Sequence, residues 1–137
     1  LGFKDNLREV AMNKLEQAIA DAAAGPLERE GAQAASRLFH FEPGFLGFSG
    51  HFPGYPILPA IVQIMAAISV AREWKGEPLE LSAVKNAKFR IKLEPGQVIK
   101  VRCQEGAAGA GSCEARLTLE GKEAASFTLT FLAQGRA

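Results

Sequence analysis

The sequence predicts an α+β fold in which an antiparallel β-sheet wraps around one long, buried α-helix. Three observations carry that reading. Residues 60–71 are apolar on nearly every side, with only Gln63 and Ser69 polar before Arg72, so this helix must be covered almost all round. From residue 81 onward, apolar and polar positions alternate in segments divided by turn residues, the period-2 pattern of strands with one wet face. The chain has 137 residues, 47% of them hydrophobic, which is enough for one real core and too little for two ordinary ones. A single domain spanning 1–137 is expected.

The elements follow in order. A helix over 6–24 is marked by Asn6 with Glu9 three residues on, a capping-box pattern. Its stripe is Leu7, Val10, Ala11, Leu15, Ala18, Ile19 and Ala22, and Gly25-Pro26 stops it. A polar link over 28–31 leads to a strand over 35–41. Glu42-Pro43-Gly44 then turns the chain into an aromatic loop carrying Phe45, Phe48 and Phe52. The central helix is expected over 59–74, ended by Lys75-Gly76 and Pro78. In the next strand, over 81–93, Leu81, Ala83, Ala87, Phe89, Ile91 and Leu93 are apolar and alternate with Lys88, Arg90 and Lys92. Pro95-Gly96 suits a type II turn. Ile99, Val101 and Cys103 alternate with Lys100 and Arg102, and residues 105–112 read as a flexible Gly/Ala loop. Cys113, Ala115, Leu117 and Leu119 share one face. After the Glu120-Gly121-Lys122 turn, Ala125, Phe127, Leu129 and Phe131 finish the sheet. One curved sheet cannot cover a helix that is apolar all round, so a second copy is the simplest cover and a dimer is expected.

Composition excludes several classes. A net charge of +1 gives no strong global pull toward nucleic acid or a membrane surface, so neither is expected as a partner. Residues 60–71 are too short to span a bilayer. No basic stretch is followed by an apolar run and a small-residue cleavage site. The expectation is a soluble cytoplasmic protein. Cys103 and Cys113 are expected as reduced thiols, since neither C-x-x-C nor zinc spacing is present. Two histidines without a nearby cluster of Cys, Asp or Glu suggest no metal site, and no cofactor is implied. Lys88, Arg90, Lys92, Lys100 and Arg102 are expected to share one face of neighbouring strands, as a solvated face or as a dock for an acidic partner.

Chemistry concentrates in residues 50–60, Gly-His-Phe-Pro-Gly-Tyr-Pro-Ile-Leu-Pro-Ala. His51 sits in a loop stiffened by Pro53, Pro56 and Pro59, which fixes the imidazole more firmly than a plain linker would. A neutral imidazole is the usual base for taking a proton next to a carbonyl; the competing reading is a packed core histidine. The helix that follows starts with N–H groups, from Ala60 onward, that have no intrahelical partner and can polarise a carbonyl. In most helices water or a cap satisfies such groups. Gln63 is a buried amide that must bond backbone or ligand. His40 falls in a strand with no sign of a role.

At these residues the sequence resembles the β-hydroxyacyl-acyl-carrier-protein dehydratases, the FabA/FabZ-type hot-dog proteins. The resemblance rests on Gly50-His51-Phe52-Pro53-Gly54 followed by Pro56-Ile57-Leu58-Pro59 opening the central helix. Ala87-Lys88-Phe89 and Glu94-Pro95-Gly96-Gln97 stand where the family has its next strand and turn. It covers roughly residues 35–132. It implies a hot-dog fold, a dimer, a tunnel for an acyl chain on phosphopantetheine, and syn-type dehydration of a 3-hydroxyacyl thioester to the trans-2-enoyl form. His51 then takes the catalytic position. Ala60, where the family usually has glycine, offers the backbone N–H that holds the thioester carbonyl. Phe52, Gly54 and Met65 are expected to contact the substrate.

One departure matters. The family's catalytic Glu or Asp stands fourteen residues after the histidine, and here that position is Met65. A glutamine found one turn later in many members is Ser69. Methionine has no proton to donate. Gln63 is about 200° round the helix from Met65, and Glu73 about 12 Å along its axis, so neither substitutes directly. The resemblance therefore implies a dehydratase-like protein of fatty-acid or polyketide-like lipid biosynthesis that keeps the base and the carbonyl clamp without the acid. Three outcomes stay open. The first is an active dehydratase or isomerase that uses His51 alone or with water. The second is one subunit of a hetero-oligomer whose acid-bearing homologue completes the site, since the family joins histidine and acid from different protomers. The third is a chain that binds acyl groups without catalysis. The implied partners are an acyl carrier protein or acyl thioester, and a second hot-dog subunit.

Overall fold

A computed structural model describes residues 3–48, 57–107 and 109–132. Helix α1 (Phe3–Asp21) is followed by strands β1 (Glu28–Glu30) and β2 (Ala34–His40), a 3-10 turn (Leu46–Phe48) and helix α2 (Ala60–Lys75). Strands β3 (Leu81–Phe89), β4 (Val98–Gly106), β5 (Gly109–Leu119) and β6 (Lys122–Phe131) complete the chain. The six strands form one antiparallel sheet in the order β1-β2-β4-β5-β6-β3. No described helix is long and apolar enough to cross a membrane.

α2 lies on the inner face of this sheet, against β2, β4 and β5. Alternation decides which strand residues meet it. Ala35 and Phe39 of β2, Ile99, Val101 and Cys103 of β4, Cys113, Ala115 and Leu117 of β5, and Phe127 and Leu129 of β6 are all buried. From the helix, Val62, Ala66, Ala67, Val70, Ala71 and Trp74 enter the same core. α2 stops where Gly76 takes the left-handed conformation (φ 66) and returns its N–H to the carbonyl of Arg72 at 2.8 Å, a conformation that glycine adopts without a Cβ penalty.

Two turns follow their sequences closely. Gly96 has φ 87, as the third residue of a type II turn after Pro95 requires. Glu120 and Gly121 both have positive φ and join β5 to β6 with Leu119 opposite Lys122, the tight hairpin whose twist matches its strands.

The structure differs from the sequence reading at six places. α1 already runs at Phe3, so Asn6 lies inside the helix rather than capping it; nothing in Phe3-Lys4-Asp5 breaks a helix. It ends at Asp21 because the next residues pair with β2: the N–H of Ala24 donates to Leu38 O and that of His40 to Ala22 O, each at 2.8 Å. The polar link is strand β1, fully exposed and charged, as suits a sheet edge. Its Arg29 bonds the α2 carbonyls of Trp74 (2.9 Å) and Glu73 (3.5 Å). β3 ends at Phe89, not Leu93; Leu93 lies beyond it, fully buried. The expected Gly/Ala loop over 105–112 is mostly hairpin, with Glu105 opposite Cys113 and Gly106 opposite Gly109. A Cβ on Gly106 would come within 2.1 Å of Ser112 Oγ, so that close pairing needs glycine. Finally, β3 and β4 are not neighbours, because β6 and β5 lie between them. Lys88 and Arg102 instead end one row across four strands, Arg102–Arg116–Ser126–Lys88. Much of that charge is neutralised locally: both Glu30 carboxylate oxygens accept from Arg102 at 3.0 Å, and Arg116 pairs with Glu123 at 2.9 Å.

Candidate functional site

His51, Phe52 and Gly54 lie outside the described residues, as does all of 49–56. The structure does show how the chain is anchored on both sides of that segment. On the entry side, Phe41, Phe45 and Phe48 meet edge to face at 4.7 and 5.7 Å, and Phe39 stacks on Phe41 at 5.8 Å. Gly47 passes so near this cluster that a Cβ there would stand 2.3 Å from the Phe45 ring and 3.0 Å from Val62. On the exit side, Leu58 is buried and its N–H donates to Leu93 O at 2.8 Å. Its carbonyl accepts from Gln63 Nε2 at 3.1 Å. Gln63 is thus a backbone latch; its Oε1 is buried without a partner among the described residues.

α2 begins immediately after this anchor. Pro59 is its N-cap in extended conformation (ψ 152) and offers no side-chain cap. Val62 and Gln63 return their N–H groups to Pro59 O at 3.1 and 3.2 Å. The first-turn N–H groups of Ala60 and Ile61 have no intrahelical acceptor, and Ala60 is exposed. They carry the positive end of the helix dipole, which favours an oxygen that gains negative charge.

Between α2, α1 and Leu81 at the start of β3 runs a cleft of about 430 Å³. Ile61, Ile64, Met65 and Ile68 form one wall, and Met12, Glu16 and Ile19 of α1 the other. Ser69 and Arg72 continue the floor. The structure therefore brings Met65 and Ser69 into one cleft and leaves Gln63 on the opposite side of the helix. Ser69 Oγ donates to Ala66 O at 2.7 Å. The charged side chains of the cleft are Glu16 and Arg72, paired at 3.5 Å with both about half exposed. Glu73 points elsewhere, with Arg37 donating to it at 2.5 Å.

The remaining reactive groups are set apart from this cleft. Cys103 and Cys113 are free, buried thiols. The neighbouring Cys113 thiol, together with burial, pushes the Cys103 thiol well up, which makes it a poor nucleophile. No group of His, Cys, Asp and Glu among the described residues is arranged to hold a metal ion. What the sequence did not reveal is the wall supplied by α1. The stripe containing Ile19 marked a buried face, but nothing in it said that Glu16 and Met12 would stand opposite Met65 and Arg72.

Residues 27–129 match the model of the ApeI-like family, described as ApeI dehydratase. The 3-hydroxyacyl-(acyl-carrier-protein) dehydratase FabZ of Clostridium acetobutylicum is 38% identical over 96 residues, covering 62% of this chain and 67% of that protein. FabZ of Thermus thermophilus is 35% identical over 98 residues, 64% of this chain and 69% of that protein. The chain spans about two thirds of the length of the curated relatives it matches. Among solved structures, the dehydratase heterocomplex ApeI:P from Xenorhabdus doucetiae matches with a TM-score of 0.71 at 21% identity, over 79% of this chain and 95% of that one. A hypothetical thioesterase protein with coenzyme A from Streptococcus pneumoniae matches with a TM-score of 0.62 at 12% identity, over 92% and 99%. At these identities the structural likeness bears on the fold, which is the hot-dog fold.

Proposed function

Because this chain belongs to the ApeI-like family of FabA/FabZ-type dehydratases, we propose that it binds 3-hydroxyacyl thioesters carried on an acyl carrier protein and takes part in their dehydration, in fatty-acid or polyketide-like lipid biosynthesis. One observation carries this most: the first turn of α2, which Pro59 leaves without a side-chain cap and which follows His51 closely in sequence, brings Ile61 into the cleft lined by Met65 and Ser69. The thioester carbonyl accepts from the Ala60 N–H, which stabilises the enolate-like charge. His51 takes the C2 proton; the C3–O bond breaks as the C2=C3 double bond forms, and the departing hydroxide needs a proton to leave as water. In a syn elimination the imidazolium can return the proton it took. Met65 adds none, and absence of a general acid costs roughly 10²–10⁴ in rate. Phe52 and Gly54 of the loop, with Met65, contact the substrate, and the chain works as a homodimer in the cytoplasm.

A second reading has its own support. The heterocomplex above is a dehydratase of the same fold made of different chains, and a chain with His51 but Met65 makes a full site by pairing with an acid-bearing homologue. Incubation with 3-hydroxyacyl carrier protein, with the enoyl product followed by mass spectrometry, tests both. Product from the chain alone, abolished in His51→Ala and raised in Met65→Glu, supports the single-chain enzyme. Product only with a co-purified hot-dog partner supports the pair. No product with either, and no thioester binding, removes the proposal.

A further inference from the structure

Gln63 is a polar side chain buried on the packed side of α2, and its hydrogen bond runs back to the residue before the helix. We infer that Gln63 is a positioning residue: it fixes Leu58 from behind, so that the first-turn N–H groups of α2 stay aimed and free for a thioester carbonyl. The inference rests on the thioester reading above. With Pro59 as N-cap, Leu58 precedes the cap and Gln63 is the fourth residue of the helix. Those two positions usually touch through apolar side chains, a staple that fixes the angle at which the chain enters a helix. Here a hydrogen bond takes that place, Gln63 Nε2 donating to Leu58 O at 3.1 Å. Apolar contact is non-directional, whereas a hydrogen bond weakens steeply off its line. The amide therefore fixes direction as well as distance.

Leu58 is tied on its other side too, its N–H donating to Leu93 O at 2.8 Å. The segment that carries Leu93 is itself pinned on both sides. The Arg90 N–H donates to Ala124 O at 2.7 Å, and the Gly96 N–H to Phe41 O at 2.8 Å. One chain of bonds thus runs from the sheet through Leu93 and Leu58 to Gln63. The way this orders the helix start matters for the donors. A Ser, Thr or Asp N-cap would do it by accepting from first-turn N–H groups. It would draw on the same donors that a carbonyl needs, and an Asp would add negative charge beside an oxygen that must gain it. Gln63 orders the start by holding a carbonyl instead, and leaves the N–H groups of Ala60 and Ile61 without an intrahelical acceptor. It acts only through Leu58 and Ala60, since it does not line the cleft.

A binding preference tests this. A saturated acyl-pantetheine thioester and the matching S-alkyl pantetheine thioether, which has no carbonyl, are titrated calorimetrically against the whole chain. The difference between the two reads the carbonyl's hydrogen bond. Wild type is expected to prefer the thioester about fivefold. Gln63→Met has the same length without a donor, and Gln63→Asn is an amide too short to reach Leu58. Each should bring the two ligands within about twofold of each other and leave thioether affinity unchanged. A preference kept in either variant, once circular dichroism shows it folded, overturns the role of Gln63 and leaves thioester binding intact. Equal weakening of both ligands, or failure of both variants to fold, overturns it too, since Gln63 is then a core residue only. Equal wild-type affinities remove the Ala60 clamp and this inference with it. Failure of wild type to bind either ligand overturns the thioester reading as well.

Discussion

The two long sides of α2 are both apolar and do opposite things. Toward the sheet stand Ala66, Ala67 and Ala71, with Val62 and Val70, all essentially without solvent contact. Small side chains there let three strands approach the helix axis closely. On the other side stand Ile61, Ile64, Met65 and Ile68, larger residues that nevertheless leave a cleft between themselves, α1 and Leu81 of β3. Hydrophobicity says that a helix side is to be covered; side-chain size and the neighbouring element decide whether the cover is protein or a cavity. Packing belongs to the first side and, in the proposed function, ligand binding to the second.

Substitutions can break this contrast. The largest effect is expected for Trp74→Ala on the packed side, a loss of about 3–5 kcal/mol in urea unfolding; a loss below about 1 kcal/mol would show that stability does not reside there. Gln63→Leu, also on the packed side, should cost about 1 kcal/mol. It strips the Leu58 carbonyl of its donor, and removing Oε1, buried without a partner among the described residues, offsets part of that cost. A net gain in melting temperature would mean that the orphaned oxygen outweighs the latch. On the open side, Ile61→Ala should change stability by no more than about 0.5 kcal/mol. A loss above about 1.5 kcal/mol, dependent on protein concentration, would reveal a second chain covering that side.

The smallest effect lies off the helix altogether. Arg102 holds the Glu30 carboxyl below its ordinary value, chiefly through their hydrogen bonds. A lowered folded value means that the pair's contribution is fully present above about pH 4.3 and fades as the pH falls further through the lowered value. Glu30→Gln should lower stability slightly at pH 7, where the pair is intact, and change it little below the lowered value, so the acid limb flattens. An equal loss at pH 7 and pH 3 would count against the pair as its source.

The contrast also shows what was legible in the sequence. Strict alternation marked Val101, Cys103, Ala115, Leu117, Phe127 and Leu129, and all are buried, because each lies on an interior strand where one face must meet α2. The same rule misled at Ala87 and Phe89. They alternate equally well, but β3 is an edge strand, its register with β6 is broken near the left-handed Asn86, and Phe89 is 43% exposed. Glu28-Arg29-Glu30 carries no hydrophobic signal at all; it is a strand because β2 offers it backbone partners. Met65 and Ser69 could be placed on one side of α2 by counting turns, since 3.6 residues per turn is local geometry. The α1 wall opposite them could not, because which two helices meet depends on the path of the whole chain.

The sheet's two borders differ in a way that bears on assembly. One ends in β1, three exposed charged residues beside the start of β2, with residues 22–24 bonding Leu38 and His40 further along β2. The other is β3, with β6 on one side and no described strand on the other. A short border of three charged residues discourages strand pairing, which leaves β3 as the border better suited to take a second chain. Joining two β3 borders uses both up. Association of β3 with β3 of a second copy is therefore self-terminating.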